Sequence, residues 1–137
     1  MRAFLPEVYN IPEEQIIGST MKTSWVESPE PSIVRLPEIG YIDDKEGKPL
    51  RIWEIIGKKP VFCGGNSDGD LAMMQWISHN PDGSMMLYIH HTDSVREWAY
   101  DRQSAVGKLD KGLDEAVEKD WLVANIDKEW KKVFPDK

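Results

Sequence analysis

The chain has 137 residues, 40% of them hydrophobic and 30% charged, with a formal net charge of −7. That length and balance describe one globular domain with its own core, and they exclude a disordered chain or a small disulfide-stapled scaffold. The acidic surplus argues against nucleic acid or an anionic membrane as the main partner, and no apolar run approaches the ~18 residues of a membrane span.

Cys63 is the single cysteine, so no internal disulfide can form. With no signal-peptide core near residue 1, a reducing, cytoplasmic setting is the expectation. Residues 2–10 read as the end of a helix that stops before Pro12. Ile16, Ile17 and Gly18 read as a short strand. Residues 20–26 and 32–36 alternate in polarity around the turn Ser28-Pro29-Glu30-Pro31, which predicts a β-hairpin excursion over 20–36. Residues 40–47 form an acidic loop. Lys48-Pro49 opens a helix, because proline there gives up an N–H that has no helical partner anyway, and Gly57 closes it.

Residues 60–63 are a continuous apolar run, the pattern of a buried parallel strand, and Cys63 reads as structural within it. After a polar loop over 64–69, residues 70–77 read as a helix. Residues 85–90 read as a strand, 109–119 as a helix and 121–126 as a strand. This order predicts an α/β fold, a single domain over 1–137 with a parallel sheet of about four strands and helices on both faces. Ligands of such sheets bind beyond the carboxyl ends of the strands. The loop Gly65-Asn66-Ser67-Asp68-Gly69-Asp70 is at such an end.

That loop admits several chemistries. Asn66, Asp68 and Asp70 are oxygen donors suited to a hard cation such as Mg²⁺, and the glycines and the following helix start suit an oxyanion. Gly65-Asn66-Ser67-Asp68-Gly69 also matches the G-x-S-x-G elbow of serine hydrolases. Asp82 or Asp93 and His90 or His91 are the candidate triad partners, in the expected chain order only as Asp82 before the histidines, but acidic Asp68 beside the serine would oppose an oxyanion. An EF-hand is excluded, because Leu71 and Ile77 stand where that loop needs glycine and glutamate. Ordinary turn and N-cap chemistry uses the same residue types.

The run from Gly65 to Asp70, followed by Leu71-Ala72-Met73-Met74, resembles the fourth motif of the haloacid-dehalogenase (HAD) superfamily, in its phosphoserine-phosphatase-like branch. The resemblance covers nearly the whole chain and is strongest over 43–102. It implies a Rossmann-like core and a Mg²⁺-dependent phosphomonoester hydrolase. Asn66 and Asp70 would be the metal ligands, Asn66 standing where aspartate is usual, with Gly65, Ser67, Asp68 and Gly69 as supporting loop. Lys48, or alternatively Lys45, would balance the charge of phosphate and nucleophile.

The family's first motif, an apolar strand followed by Asp-x-Asp, has no counterpart. The Asp-x-Asp present, Asp68-Gly69-Asp70, is placed as the fourth motif. The resemblance therefore implies the C-terminal portion of an enzyme, inactive alone for want of a nucleophile. Its partners would be a phosphorylated small molecule and a chain supplying the N-terminal half. A non-catalytic module binding a phospho-ligand or a partner chain is the alternative, and the serine hydrolase another. Arg96 and Arg102 could bind an anion or pair with acidic neighbours such as Glu97 and Asp101. His90 and His91 read chiefly as structural, and Trp53, Trp76 and Trp98 as core anchors.

Overall fold

The computed structural model describes residues 3–134. A short helix α1 (Leu5–Tyr9) ends at Asn10 in the left-handed conformation; residue 2, the expected start of that helix, lies outside the described residues. Ile16 to Gly18 forms no strand. Strands β1 (Thr20–Val26) and β2 (Ser32–Tyr41) then pair antiparallel as a two-stranded sheet. The hairpin extends five residues beyond the expected 36, because β2 runs on through Pro37 with irregular register.

Helix α2 (Gly47–Ile56) ends at Gly57, whose φ of 72° is the left-handed value that a residue with a Cβ rarely adopts. Next come β3 (Phe62–Gly65), α3 (Leu71–Ser78), β4 (Met85–His90), α4 (Lys111–Glu118), β5 (Leu122–Asn125) and the short α5 (Ile126–Glu129). Strands β3, β4 and β5 form a parallel sheet in that spatial order. The fold is thus α/β with a three-stranded parallel sheet plus an antiparallel hairpin. The expected fourth strand is not found among the described residues.

Side chains alternate across β4, as the pleat requires. Met86 and Tyr88 are buried on one face, where Met74 and Ile77 of α3 and Leu113 and Ala116 of α4 pack on them together with Cys63 and Leu109. A hydrogen bond from Gln75 to Glu115 ties the two helices directly. The expectation of helices on both faces is therefore corrected: α3 and α4 share one face. Both crossovers step the same way along the sheet, and right-handed crossovers stepping one way put their helices on one side.

The opposite face presents Phe62, Leu87, Ile89 and Leu122, of which Phe62 and Leu122 are exposed. Helix α2 leans on α3 through an edge-on contact of Trp53 with Trp76, ring centroids 6.4 Å apart. Trp76 borders the core, but Trp53 and Trp98 are exposed, so they do not anchor it. The accessible surface is 10096 Å². A folded monomer of this mass exposes about 7,300 Å² by size scaling. No helix among the described residues is long and apolar enough to cross a membrane.

Candidate functional site

The loop after β3 is organised around Asp70, which is 8% exposed. Ser67 caps the 3₁₀ turn Asp68–Asp70 that leads into α3, and Ser67 and Asp70 form a reciprocal capping box. Asp70 Oδ2 accepts the backbone N–H of Asn66 at 3.0 Å and of Ser67 at 3.2 Å, and lies 3.4 Å from the Ser67 hydroxyl. Asp70 Oδ1 lies 3.2 Å from Lys48 Nζ. These donors and the ammonium offset the desolvation of the buried carboxylate. A Cβ at Gly65 would fall 2.6 Å from Asp70 Cβ, so only glycine lets the strand end pass so near this side chain.

Lys48 reaches Asp70 because α2 starts at Gly47, which puts Lys48 in its first turn. Lys45 does not make this contact. It has a φ of 50°, its N–H bonds to Gly69 O at 3.2 Å, and it lines a separate cavity with Asp44, Asp68, Lys108 and Lys111. Asp68 is turned away from Asp70 and serves α4. Its Oδ1 accepts the N–H of Asp110 at 3.0 Å and of Gly112 at 2.9 Å, and its Oδ2 that of Lys111 at 3.3 Å. The Asp68 N–H in turn bonds to Lys108 O at 2.8 Å. Asp68 is thus an N-cap supplied from more than forty residues upstream.

Asn66 donates from Nδ2 to the Tyr100 hydroxyl at 2.7 Å. The Tyr100 ring stacks on His91 at 4.5 Å, and His91 Nδ1 is 2.8 Å from Glu97 Oε2. Burial pushes the Tyr100 phenol above its ordinary pKa, an effect that the Asn66 hydrogen bond opposes. Gly65, Asn66, Asp70, His91, Glu97 and Trp130 are among the walls of a cavity of about 570 Å³ at the carboxyl end of β3. Tyr100 and Glu97 were not singled out as site residues from the sequence. The irregular stretch 91–108 has no periodicity to reveal which of its side chains turn toward the loop.

The other candidates lie elsewhere. No histidine is hydrogen-bonded to Ser67 among the described residues; His90 Nε2 lies 3.1 Å from Asp101, and His79 contacts Gln75 O. Asp93 pairs with Arg96, whose backbone N–H is the main cause holding the Asp93 carboxyl below its ordinary range. Arg96 also donates to Trp130 O at 2.6 Å and Ile126 O at 3.1 Å, fastening the end of the chain that follows β5. Arg102 is paired with Asp110 and Asp114, both at 2.8 Å. Neither guanidinium pairs with the neighbours that its sequence context suggested, although the Arg102 backbone N–H donates to Asp101 at 2.7 Å. Burial, and then the charge of Asp70, push the Cys63 thiol up to about 11, in keeping with a structural cysteine.

The donor set for Mg²⁺ is sparse. Both Asp70 oxygens are already engaged, and both Asp68 oxygens accept backbone N–H groups of the α4 start. No cluster of three or more histidine, cysteine or acidic side chains able to hold a metal occurs among the described residues. These residues do not fit a complete Mg²⁺ site, which needs anionic oxygens from elsewhere. No protein-family model and no curated protein matches the chain.

Proposed function

We propose that this chain is the C-terminal portion of a HAD-type, phosphoserine-phosphatase-like phosphomonoester hydrolase, and that it binds phosphate without turning it over. The observation that carries the reading is the 3.2 Å Lys48–Asp70 pair at the carboxyl end of β3. Asp70 is gripped by its own loop and holds the lysine ammonium at the strand end, where a phosphate oxygen would dock. Asn66 borders the same cavity with its amide oriented by Tyr100. Such preorganised groups stabilise a phosphoryl oxyanion.

The attacking aspartate would come from a strand with Asp-x-Asp outside these residues. Two features suit such a strand. Strand β3 pairs only with β4 among the described residues, so its other edge is open, and Phe62 and Leu122 are exposed on the face opposite α3 and α4. The surface beyond the size expectation is ample for a large interface. A Mg²⁺ ion, in this reading, would bind only once those carboxylates join Asn66 and Asp70.

A non-catalytic module is the second reading. It is favoured by the engagement of both Asp70 oxygens, which leaves no free carboxylate in the loop to act as nucleophile. The serine-hydrolase reading has less support, since Ser67 is hydrogen-bonded to Asp70 and to no histidine among the described residues.

The test uses the purified chain with an aryl phosphate, with Mg²⁺ and with a chelator. No turnover is expected in either case. Inorganic phosphate should still stabilise the fold, by about 2.7 kcal/mol at a hundredfold excess over Kd, and so raise the melting temperature, and Lys48→Ala should abolish that rise. Turnover lost in Asp70→Ala would overturn the reading of a nucleophile-free chain, and a Ser67 adduct with a fluorophosphonate would favour the hydrolase.

A further inference from the structure

The hairpin is the part of the molecule that the phosphate-site reading leaves unused. It is a sheet of two strands, and a two-stranded hairpin alone in water is marginal. One of its faces carries two apolar cross-strand pairs with the polar pair Thr23–Arg35 between them. Met21 stands opposite Ile39, and Trp25 opposite Ile33, and these four are 45%, 63%, 63% and 72% exposed respectively.

The two outer edges differ. Between Thr20 and Met21 the partner strand advances from Tyr41 to Ile39, and between Met21 and Thr23 from Ile39 to Arg35. Every irregularity therefore puts its extra residues on β2, which also contains Pro37. Bulges and proline are the devices that block an edge from further pairing. Strand β1 has neither. Its one charged residue, Lys22, is drawn back onto Glu38 of β2 at 2.7 Å and does not guard the edge.

We propose that β1 is a self-association edge. Two copies of this chain pair β1 antiparallel to β1 about a two-fold axis at Thr23, joining two hairpins into one four-stranded sheet. The occupant follows from the segment Met21-Lys22-Thr23-Ser24-Trp25, which complements itself about its middle residue. In that register Met21 faces Trp25 of the partner subunit, a favourable sulfur–aromatic pair. Lys22 faces Ser24 of the partner subunit, and the two Thr23 side chains face each other, a pairing that sheets favour. No like charges are opposed.

Met21, Thr23 and Trp25 share one face. The apolar row Ile39–Met21 of one copy therefore continues into the Trp25–Ile33 row of the other, and the two-fold axis repeats it. Isologous contacts of this kind close at two copies. The proposal uses neither Lys48 nor Asp70, so it stands or falls apart from the phosphate site.

Sedimentation equilibrium on the intact chain should give twice the 15.7 kDa mass of one copy. Thr23→Asp should give monomer with an unchanged circular dichroism spectrum. Within one chain the new carboxylate faces Arg35, whereas across the axis it faces its own copy. Thr23→Lys should also be monomeric, and mixing the two variants should restore the dimer. Thr23→Cys should form a disulfide-linked dimer under mild oxidation with little background, because Cys63 is buried. A monomeric wild-type chain would overturn the proposal. So would a dimer that Thr23→Asp leaves intact and Thr23→Cys does not cross-link, because the copies would then meet through another surface such as the open edge of β3.

Discussion

The segment from Phe62 to Ile126 and the segment before it use their apolar residues in opposite ways. In the first, parallel strands and two helices enclose Tyr88, Met74, Ile77 and Leu109 almost completely. In the second, β1, β2 and α2 leave Trp25, Ile33, Ile39, Leu50 and Trp53 facing outward. Both regions are regular secondary structure, so regularity is no guide to which of them holds itself together. What separates them is whether a crossover brings a second layer onto the apolar face. The β3–α3–β4–α4–β5 path does so twice. A hairpin followed by one helix has nothing of its own to cover it.

The sharpest way to break this contrast is to truncate one aliphatic side chain in each region. Ile77→Ala should cost about 2–5 kcal/mol, because it empties a filled site between α3 and the sheet, and Leu50→Ala should stay within about 0.5 kcal/mol as an exposed change. Urea unfolding of the two variants measures both, and equal losses would mean that α2 packs more closely than its exposure indicates. Next in size is Asp68→Ala, which strips the cap from α4 and should cost about 1–3 kcal/mol. Its loss should be seen first as faster amide exchange over 111–118.

Cys63 sharpens the comparison by pH. Its thiol is raised to about 11, above the ~8.5 of an exposed cysteine. A group raised in the folded state contributes stability that is complete below its unfolded value and is lost as pH rises through the folded one. The native chain should therefore resist iodoacetamide at pH 8 and react only when unfolded, whereas alkaline stability should fall as pH nears 11. A small effect is also expected of Tyr88→Phe. The Tyr88 hydroxyl is buried without a hydrogen-bond partner among the described residues, so its removal should change stability by less than about 1 kcal/mol, with a gain the expected direction.

The parallel half was legible in the sequence because its signals are local. An apolar run of four to six residues between polar loops marks a strand, and β4 occupies 85–90 as read. The start of α2 beside Lys48 followed from proline and glycine punctuation. The course of β2 beyond residue 36 was hidden, since proline in a strand and a bulged register both imitate a loop. The partners of Asp68, Arg96 and Arg102 were hidden for another reason. Asp68 caps a helix more than forty residues downstream, and Arg96 fastens carbonyls some thirty residues away. Contacts closed by the tertiary fold leave no mark on spacing. The choice between Lys48 and Lys45 depended on which residue begins a helix, a boundary that the chain pattern defines only to within a few residues.

The Asp68 cap has one more consequence. Because a single carboxylate both terminates α4 and belongs to the Gly65–Asp70 loop, that loop cannot open without uncapping the helix. The energy that would otherwise be lost in ordering a mobile loop around an anion is spent during folding instead. If the proposed phosphate site is right, a ligand arriving beside Lys48 would meet a rigid receptor, and its association should be limited by desolvation of the ion pair and not by rearrangement of the chain.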